Sequence, residues 1–133
     1  MSPKKSSVRK RNRMKSDAPG ERPTRSREFA AKVLSNLPRE NGFYFYNSIG
    51  NPTGAVACSF GEFCEDVKAS PPEIIEFHLS RGDFENWIKY IGDEELASQI
   101  GLLRSQNLSR DELFHAFVSA IQDRQISLQR AAS

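Results

Sequence analysis

Apolar positions recur at helical spacing along most of the chain after Phe29, interrupted once by a run with strand character. Phe29, Ala30, Val33, Leu34 and Leu37 make one stripe, which predicts a helix capped by Ser26 and ended by Pro38. Gly42 then opens Phe43-Tyr44-Phe45-Tyr46, whose aromatic composition favours a strand. Turn-forming residues crowd Asn47 to Gly54, and Ala55-Val56-Ala57-Cys58 reads as a second strand. Residues 43–58 are therefore expected to form a β-hairpin. Alternation sends only half of the aromatic run outward, and an isolated hairpin is marginal in water, so its apolar face must rest on helices.

The helices announce themselves by their ends. Ser59-Phe60-Gly61-Glu62 has the spacing of a capping box, in which a serine oxygen and a glutamate satisfy N–H groups of the first turn, and Phe60, Phe63, Cys64 and Val67 follow on one face. Ser70-Pro71-Pro72-Glu73 repeats that spacing with proline in the first turn, where its missing N–H costs nothing. The next helix, with Ile74, Ile75, Phe77, His78 and Leu79, is apolar over much of its circumference and is expected at the centre. Gly82-Asp83 then reads as a left-handed stop followed by a cap, and Phe84, Trp87, Ile88 and Ile91 give the cleanest amphipathic period in the sequence. Gly92-Asp93 repeats the device ahead of Leu96, Ala97, Ile100 and Leu103. After a break at Asn107 or Leu108, a third box, Ser109 to Glu112, launches a last helix with Phe114, Phe117, Val118 and Ile121, expected to fray after Leu128.

The stretch from Glu73 to Leu96 organises the rest, and the expected fold is α+β, mostly α: a β-hairpin packed on about five short helices and preceded by a disordered basic tail. With 133 residues, one domain over 26–130 and a tail over 1–25 is the simplest division. Composition is ordinary for a water-soluble chain, at 38% hydrophobic and 27% charged. Charge changes the picture, because its average hides two halves. Residues 1–28 carry ten Lys/Arg against three Asp/Glu, a net +7, whereas residues 29–133 carry nine against fourteen, a net −5. The first segment has no hydrophobic period, cannot bury enough apolar surface to offset its ordering entropy, and suits a polyanion. Lys4, Lys5, Arg9, Lys10, Arg11, Arg13 and Lys15, with weaker help from Arg22, Arg25 and Arg27, are the expected nucleic-acid contacts.

Other chemistries find little support. No apolar run reaches membrane length and no secretory signal opens the chain, which points to the cytoplasm and no membrane partner. Cys58 and Cys64 are expected as small core residues, without a ligand set for a metal. The acidic sets Asp93-Glu94-Glu95 and Asp111-Glu112 sit in first helical turns, where negative charge is favoured by the helix dipole. No Walker loop, zinc-protease motif, nucleophile elbow or dinucleotide fingerprint occurs, so no catalytic residue and no cofactor is assigned. His78 and Asp83 bracket a helix break and could form a base–orienter pair, but capping by Asp83 and a backbone hydrogen bond by His78 explain both.

His78-Leu-Ser-Arg-Gly-Asp83-Phe84-Glu-Asn-Trp87-Ile88, followed by Gly92-Asp93-Glu-Glu-Leu96-Ala97, resembles an uncharacterised small domain family of archaea and bacteria. The resemblance spans roughly Gly42 to Leu128 and marks His78, Asp83, Trp87 and Asp93 as its signature; it implies the fold and no activity. Ser59-Phe60 stands where that family has Ser-Leu. The function expected from the residues is that of a small non-enzymatic binding protein, whose tail follows RNA or DNA phosphate while the folded part contacts a protein or ribonucleoprotein. Two alternatives stand beside it. One is an enzyme or small-ligand module at the His78/Asp83 junction, which a concave pocket lined by His78, Asp83 and Tyr90 would favour. The other is a protein–protein adapter with a merely solubilising tail.

Overall fold

A phenylalanine on the inner face of a two-stranded sheet can reach several helices at once, and Phe43 does so. The computed structural model describes the backbone of residues 21–133 and the side chains from Ser26 onward. Its elements are α1 (Glu21–Leu34), a 3-10 turn (Arg39–Asn41), β1 (Phe43–Ser48), β2 (Asn51–Ala57), α2 (Phe60–Ala69), α3 (Pro72–Arg81), α4 (Asp83–Tyr90), α5 (Glu94–Arg104) and α6 (Arg110–Ala132). This is the expected α+β, mostly helical class, with a hairpin followed by five helices among the described residues. The tail expected over 1–25 lies for its first twenty residues outside those described, and α1 takes in the other five.

Two compact units divide the chain. One holds residues 32–127, and the other combines the residues up to Ala31 with Leu128–Ser133. In the smaller unit, α1 starts five residues before Ser26, which is therefore an exposed interior residue of the helix and not its cap. Phe29 is 41% exposed while Ala30 is fully buried, so the inward stripe is narrower than the sequence pattern suggested. The last helix runs on to Ala132 instead of fraying after Leu128, in keeping with the helix-favouring Gln129, Arg130, Ala131 and Ala132.

The hairpin of the larger unit is antiparallel, with Phe43 opposite Ala57, Tyr44 opposite Val56, Tyr46 opposite Pro52 and Ser48 opposite Asn51. Its second strand begins earlier than expected. Most of the turn-rich stretch is strand, and the connection shrinks to Ile49-Gly50 with Gly50 at φ 75°. Irregular register on both sides of Tyr46 accommodates Pro52 and Gly54, residues that a regular inner strand would not hold. Gly42 is required by a close approach, since a Cβ there would lie 2.7 Å from the Ala57 carbonyl oxygen.

Phe43 and Phe45 point inward and are buried, while Tyr44 is exposed and Tyr46 half-buried, as alternation demands. Around Phe43 stand Phe45 at 4.9 Å, Phe84 and His78 each at 5.0 Å, Phe63 at 5.6 Å and Trp87 at 5.9 Å between ring centroids. Phe84 stacks in turn on Phe117 of α6 at 4.9 Å. Strand β1, helices α2, α3, α4 and α6 thus meet in one aromatic cluster, and Trp87 belongs to it at 8% exposure with its indole N–H donated to the Asn41 carbonyl at 3.1 Å. Edge-to-face contacts such as Phe43–Phe45 add to the area they bury.

Helix ends agree with the sequence in part. Ser59 accepts from the Glu62 N–H, and Glu62 accepts from the Cys58 N–H, one residue earlier than a standard box. Ser109 and Glu112 form the full reciprocal pair. Ser70 does not cap α3; its hydroxyl turns back to the Asp66 carbonyl at the end of α2, and Pro71 occupies the cap position with Pro72 in the first turn. Gly82 takes the left-handed conformation at φ 77° and ends α3 as anticipated. Asn107, at φ 59°, marks the break before α6.

Candidate functional site

Where α3 ends at the left-handed Gly82, α4 starts without a spacer, so the last turn of α3 and the first turn of α4 bring their side chains together. His78 and Arg81 come from one side of this junction and Asp83 from the other. The His78 ring is 2% exposed and is held at both nitrogens. Its Nε2 lies 2.9 Å from the Tyr46 backbone nitrogen, which can only donate, so Nε2 is the acceptor and Nδ1 carries the proton. That proton is donated to Asp83 Oδ2 at 2.8 Å. Burial is the main influence on the imidazole and pushes its pKa below the usual value of 6.5; the hydrogen bond and charge of Asp83 oppose that shift, and Arg81 assists it. A neutral Nδ1–H tautomer satisfies all three observations.

Asp83 is not the helix cap the sequence suggested. Gly82 holds the cap position of α4 without a side-chain hydrogen bond, and the Asp83 carboxylate is drawn away to His78 and to Arg81 Nε at 3.0 Å, both on Oδ2. The Arg81 guanidinium also lies over the Phe77 ring, 5.2 Å from its centroid. His78 therefore ties the β1 edge to the helix junction, and Asp83 orients it. An imidazole engaged on both sides inside the fold is a poor proton shuttle, because protonating Nε2 would force two donors against each other.

Beside this junction a groove of about 600 Å³ opens between the hairpin and α3–α4. Its wall includes Tyr44, Tyr46, Phe77, Arg81, Asp83 and Asn86, with Ile49 at the hairpin tip. Of the three residues that a site at this junction would bring together, His78 and Asp83 line the groove and Tyr90 does not; the Tyr90 side chain is 60% exposed and borders a separate notch with Val33, Leu37, Phe60 and Ile91. Tyr44 and Tyr46, the half of the aromatic run that points outward, share this wall with Arg81. Sequence alternation was enough to send Tyr44 and Tyr46 outward; nothing local announced that Arg81 and Asn86 would join them.

Asp93, the carboxylate of the second Gly-Asp step, has a different setting. It caps α5 by accepting from the Leu96 N–H at 3.2 Å and is fully buried. Arg124 of α6 meets it with two parallel bonds, Nε to Oδ2 at 2.7 Å and Nη2 to Oδ1 at 2.8 Å. This partner, thirty-one residues away, had no signal in the sequence. Cys64 is buried and its thiol is pushed up to about 12, chiefly by burial, which leaves it unreactive, whereas Cys58 is half-buried.

Among the described residues no three His, Cys, Asp or Glu side chains converge to hold a metal ion, and no helix is long and apolar enough to cross a membrane. Lys4, Lys5, Arg9, Lys10, Arg11, Arg13 and Lys15 lie outside the described residues; Arg22, Arg25 and Arg27 fall on α1, with Arg27 exposed. No protein-family model, curated protein or solved structure matches this chain.

Proposed function

We propose that the protein is a non-enzymatic nucleic-acid-binding protein that holds phosphate with its basic N-terminal segment and offers its folded part to a protein or ribonucleoprotein partner. The observation that carries this reading is charge segregation: the net +7 of residues 1–28 adjoins a remainder of net −5, which would itself repel a polyanion. The junction at His78 and Asp83 supports binding over catalysis, because its imidazole is consumed by the Tyr46 N–H and the Asp83 carboxylate. Cys58 and Cys64, both free thiols, fit the reducing cytoplasm.

The test keeps the full chain and replaces Lys4, Lys5, Arg9, Lys10, Arg11, Arg13 and Lys15 by Gln, which spares α1. Binding of labelled RNA and duplex DNA by the parent should be tolerant of sequence and fall steeply with salt, with a log–log slope of about −5 if seven phosphates of a single strand are neutralised. The substituted protein should lose most of that affinity and slope. Equal affinity of the two proteins would place recognition on the folded part and overturn the reading.

A further inference from the structure

We propose that the groove between the hairpin and the α3–α4 junction receives an unpaired base of a single-stranded nucleic acid, so that the folded part reads strandedness while the basic segment holds phosphate. The inference rests on the nucleic-acid reading above and adds to it the ligand chemistry of a defined site.

Tyr44, 39% exposed, and half-buried Tyr46 and Phe77 present aromatic surface to a space of about 600 Å³, within the range of small-molecule pockets. Arg81 is held at two points, its Nε 3.0 Å from Asp83 Oδ2 and its Cζ 5.2 Å from the Phe77 ring centroid, which leaves the terminal nitrogens as donors. Asp83 spends Oδ2 on His78 and Arg81, while Oδ1 has no donor among the described residues, and the exposed Asn86 amide beside it is likewise uncommitted.

The rim thus combines one cation and one anion with spare donors and acceptors. An anionic ligand would face Asp83, a cationic one would face Arg81, and a purely apolar one would strip water from Asp83 Oδ1 and Asn86 without replacing its hydrogen bonds. A flat, neutral ring with donors and acceptors on its edge satisfies every part of the wall. Unstacked nucleobases are such rings, and aromatic side chains and arginine planes are the surfaces on which single strands are bound. A base paired within a duplex would have its face covered by neighbours and could not enter.

The experiment uses the full-length protein and three labelled oligonucleotides of equal length, a base-bearing single strand, an abasic strand carrying the same phosphates, and a duplex, titrated by anisotropy at low and physiological salt. Tyr44→Ala and Asn86→Ala alter exposed side chains, Tyr44→Phe keeps the stacking ring, and the seven-fold Gln variant removes the phosphate contacts. The parent should bind the base-bearing strand about tenfold or more tighter than the abasic one. Tyr44→Ala should bring that ratio close to one, Asn86→Ala should reduce it, and Tyr44→Phe should preserve it. The Gln variant should weaken both strands by the same factor and leave the ratio intact. A parent ratio near one, or a ratio indifferent to Tyr44→Ala and Asn86→Ala, overturns the groove while the phosphate reading stands. A preserved ratio in a Gln variant that binds as well as the parent overturns the phosphate reading while the groove stands. Failure of the parent to bind any strand overturns both.

Discussion

Gly82-Asp83 and Gly92-Asp93 are the same two letters placed after consecutive helices, yet the fold uses them differently. At the second step the carboxylate does what the local signal promises: it caps α5 through the Leu96 N–H, and Arg124 locks it from α6 with the ring of paired bonds complete. At the first step the glycine still ends its helix, but the carboxylate leaves the new helix uncapped and turns to His78 and Arg81. Asp93 is 1% exposed at its side chain and Asp83 26%. One junction is sealed into the fold, and the other is left at the lip of a groove. The difference lies in what each carboxylate finds across the fold, an arginine at the one and a buried imidazole at the other, and it separates a structural lock from a surface able to meet a ligand.

The sealed junction should give the largest effect. Arg124→Ala would leave the Asp93 carboxylate buried with only its cap bond, a loss of about 3–5 kcal/mol, because a charge stripped of its partner in the interior is not rehydrated. Chemical denaturation at neutral pH reads this as a lowered midpoint at unchanged slope. A cost under about 1 kcal/mol would mean that water reaches Asp93 and that the contrast between the junctions is one of degree. Trp87→Ala, which opens a cavity in the aromatic cluster and orphans the Asn41 carbonyl, belongs to the same range of about 3–5 kcal/mol. Iodide should quench the parent indole far less than free tryptophan; equal quenching would remove Trp87 from the core.

What the sequence made legible was largely what neighbouring residues decide. The left-handed Gly82, the box at Ser109 and Glu112, the inward Phe43 and Phe45 and the buried Trp87 all follow from periods and from groups within a few positions of one another. The misreadings share a cause. Ser26, Ser70 and Asp83 each have a side chain suited to a cap, but α1 begins upstream of Ser26, the Asp66 carbonyl takes the Ser70 hydroxyl, and a buried imidazole takes the Asp83 carboxylate. The turn-rich letters after Asn47 suggested a long loop, whereas pairing with β1 extends β2 back to Asn51 through irregular register. Of the groove, the sequence showed the outward tyrosines and the His78–Asp83 proximity. Arg81 over Phe77 is an i, i+4 contact within α3 that helical spacing allows, whereas the approach of the hairpin to α3, which sets Arg81 beside the tyrosines, required the tertiary fold.

At the open junction the expected losses are smaller. Asp83→Ala removes the acceptor of a buried N–H, and the cost of leaving His78 Nδ1 unsatisfied is about 1–3 kcal/mol. Asp83→Asn retains an oxygen for that N–H and gives up only the exposed contact with Arg81, so its cost should stay under about 1 kcal/mol. Thermal melts of the two variants beside the parent decide the matter. If Asn costs as much as Ala, the carboxylate charge itself holds the junction, and the comparison with Asp93 narrows.

The smallest effect, and the one that resolves the open junction most finely, is its dependence on pH. The folded state lowers the pKa of His78 below the usual 6.5, mainly through burial, so between that value and the lowered one the unfolded chain binds more protons than the folded one. Stability is therefore fully present above about pH 6.5 and is lost as pH falls from there through the folded pKa. The physical event is the arrival of a second proton on Nε2, which then confronts the Tyr46 N–H; Asp83 softens the loss by attracting the charged ring, and Arg81 deepens it. His78→Gln can present an oxygen to Tyr46 and an amide to Asp83 without titrating, so its unfolding free energy should change less than the parent's between pH 7 and pH 5. One proton limits the difference in slope to about 1.4 kcal/mol per pH unit. Parallel profiles for parent and variant would show that His78 holds its proton equally in both states, and the imidazole would then be exchanging with solvent through the groove instead of being locked against β1.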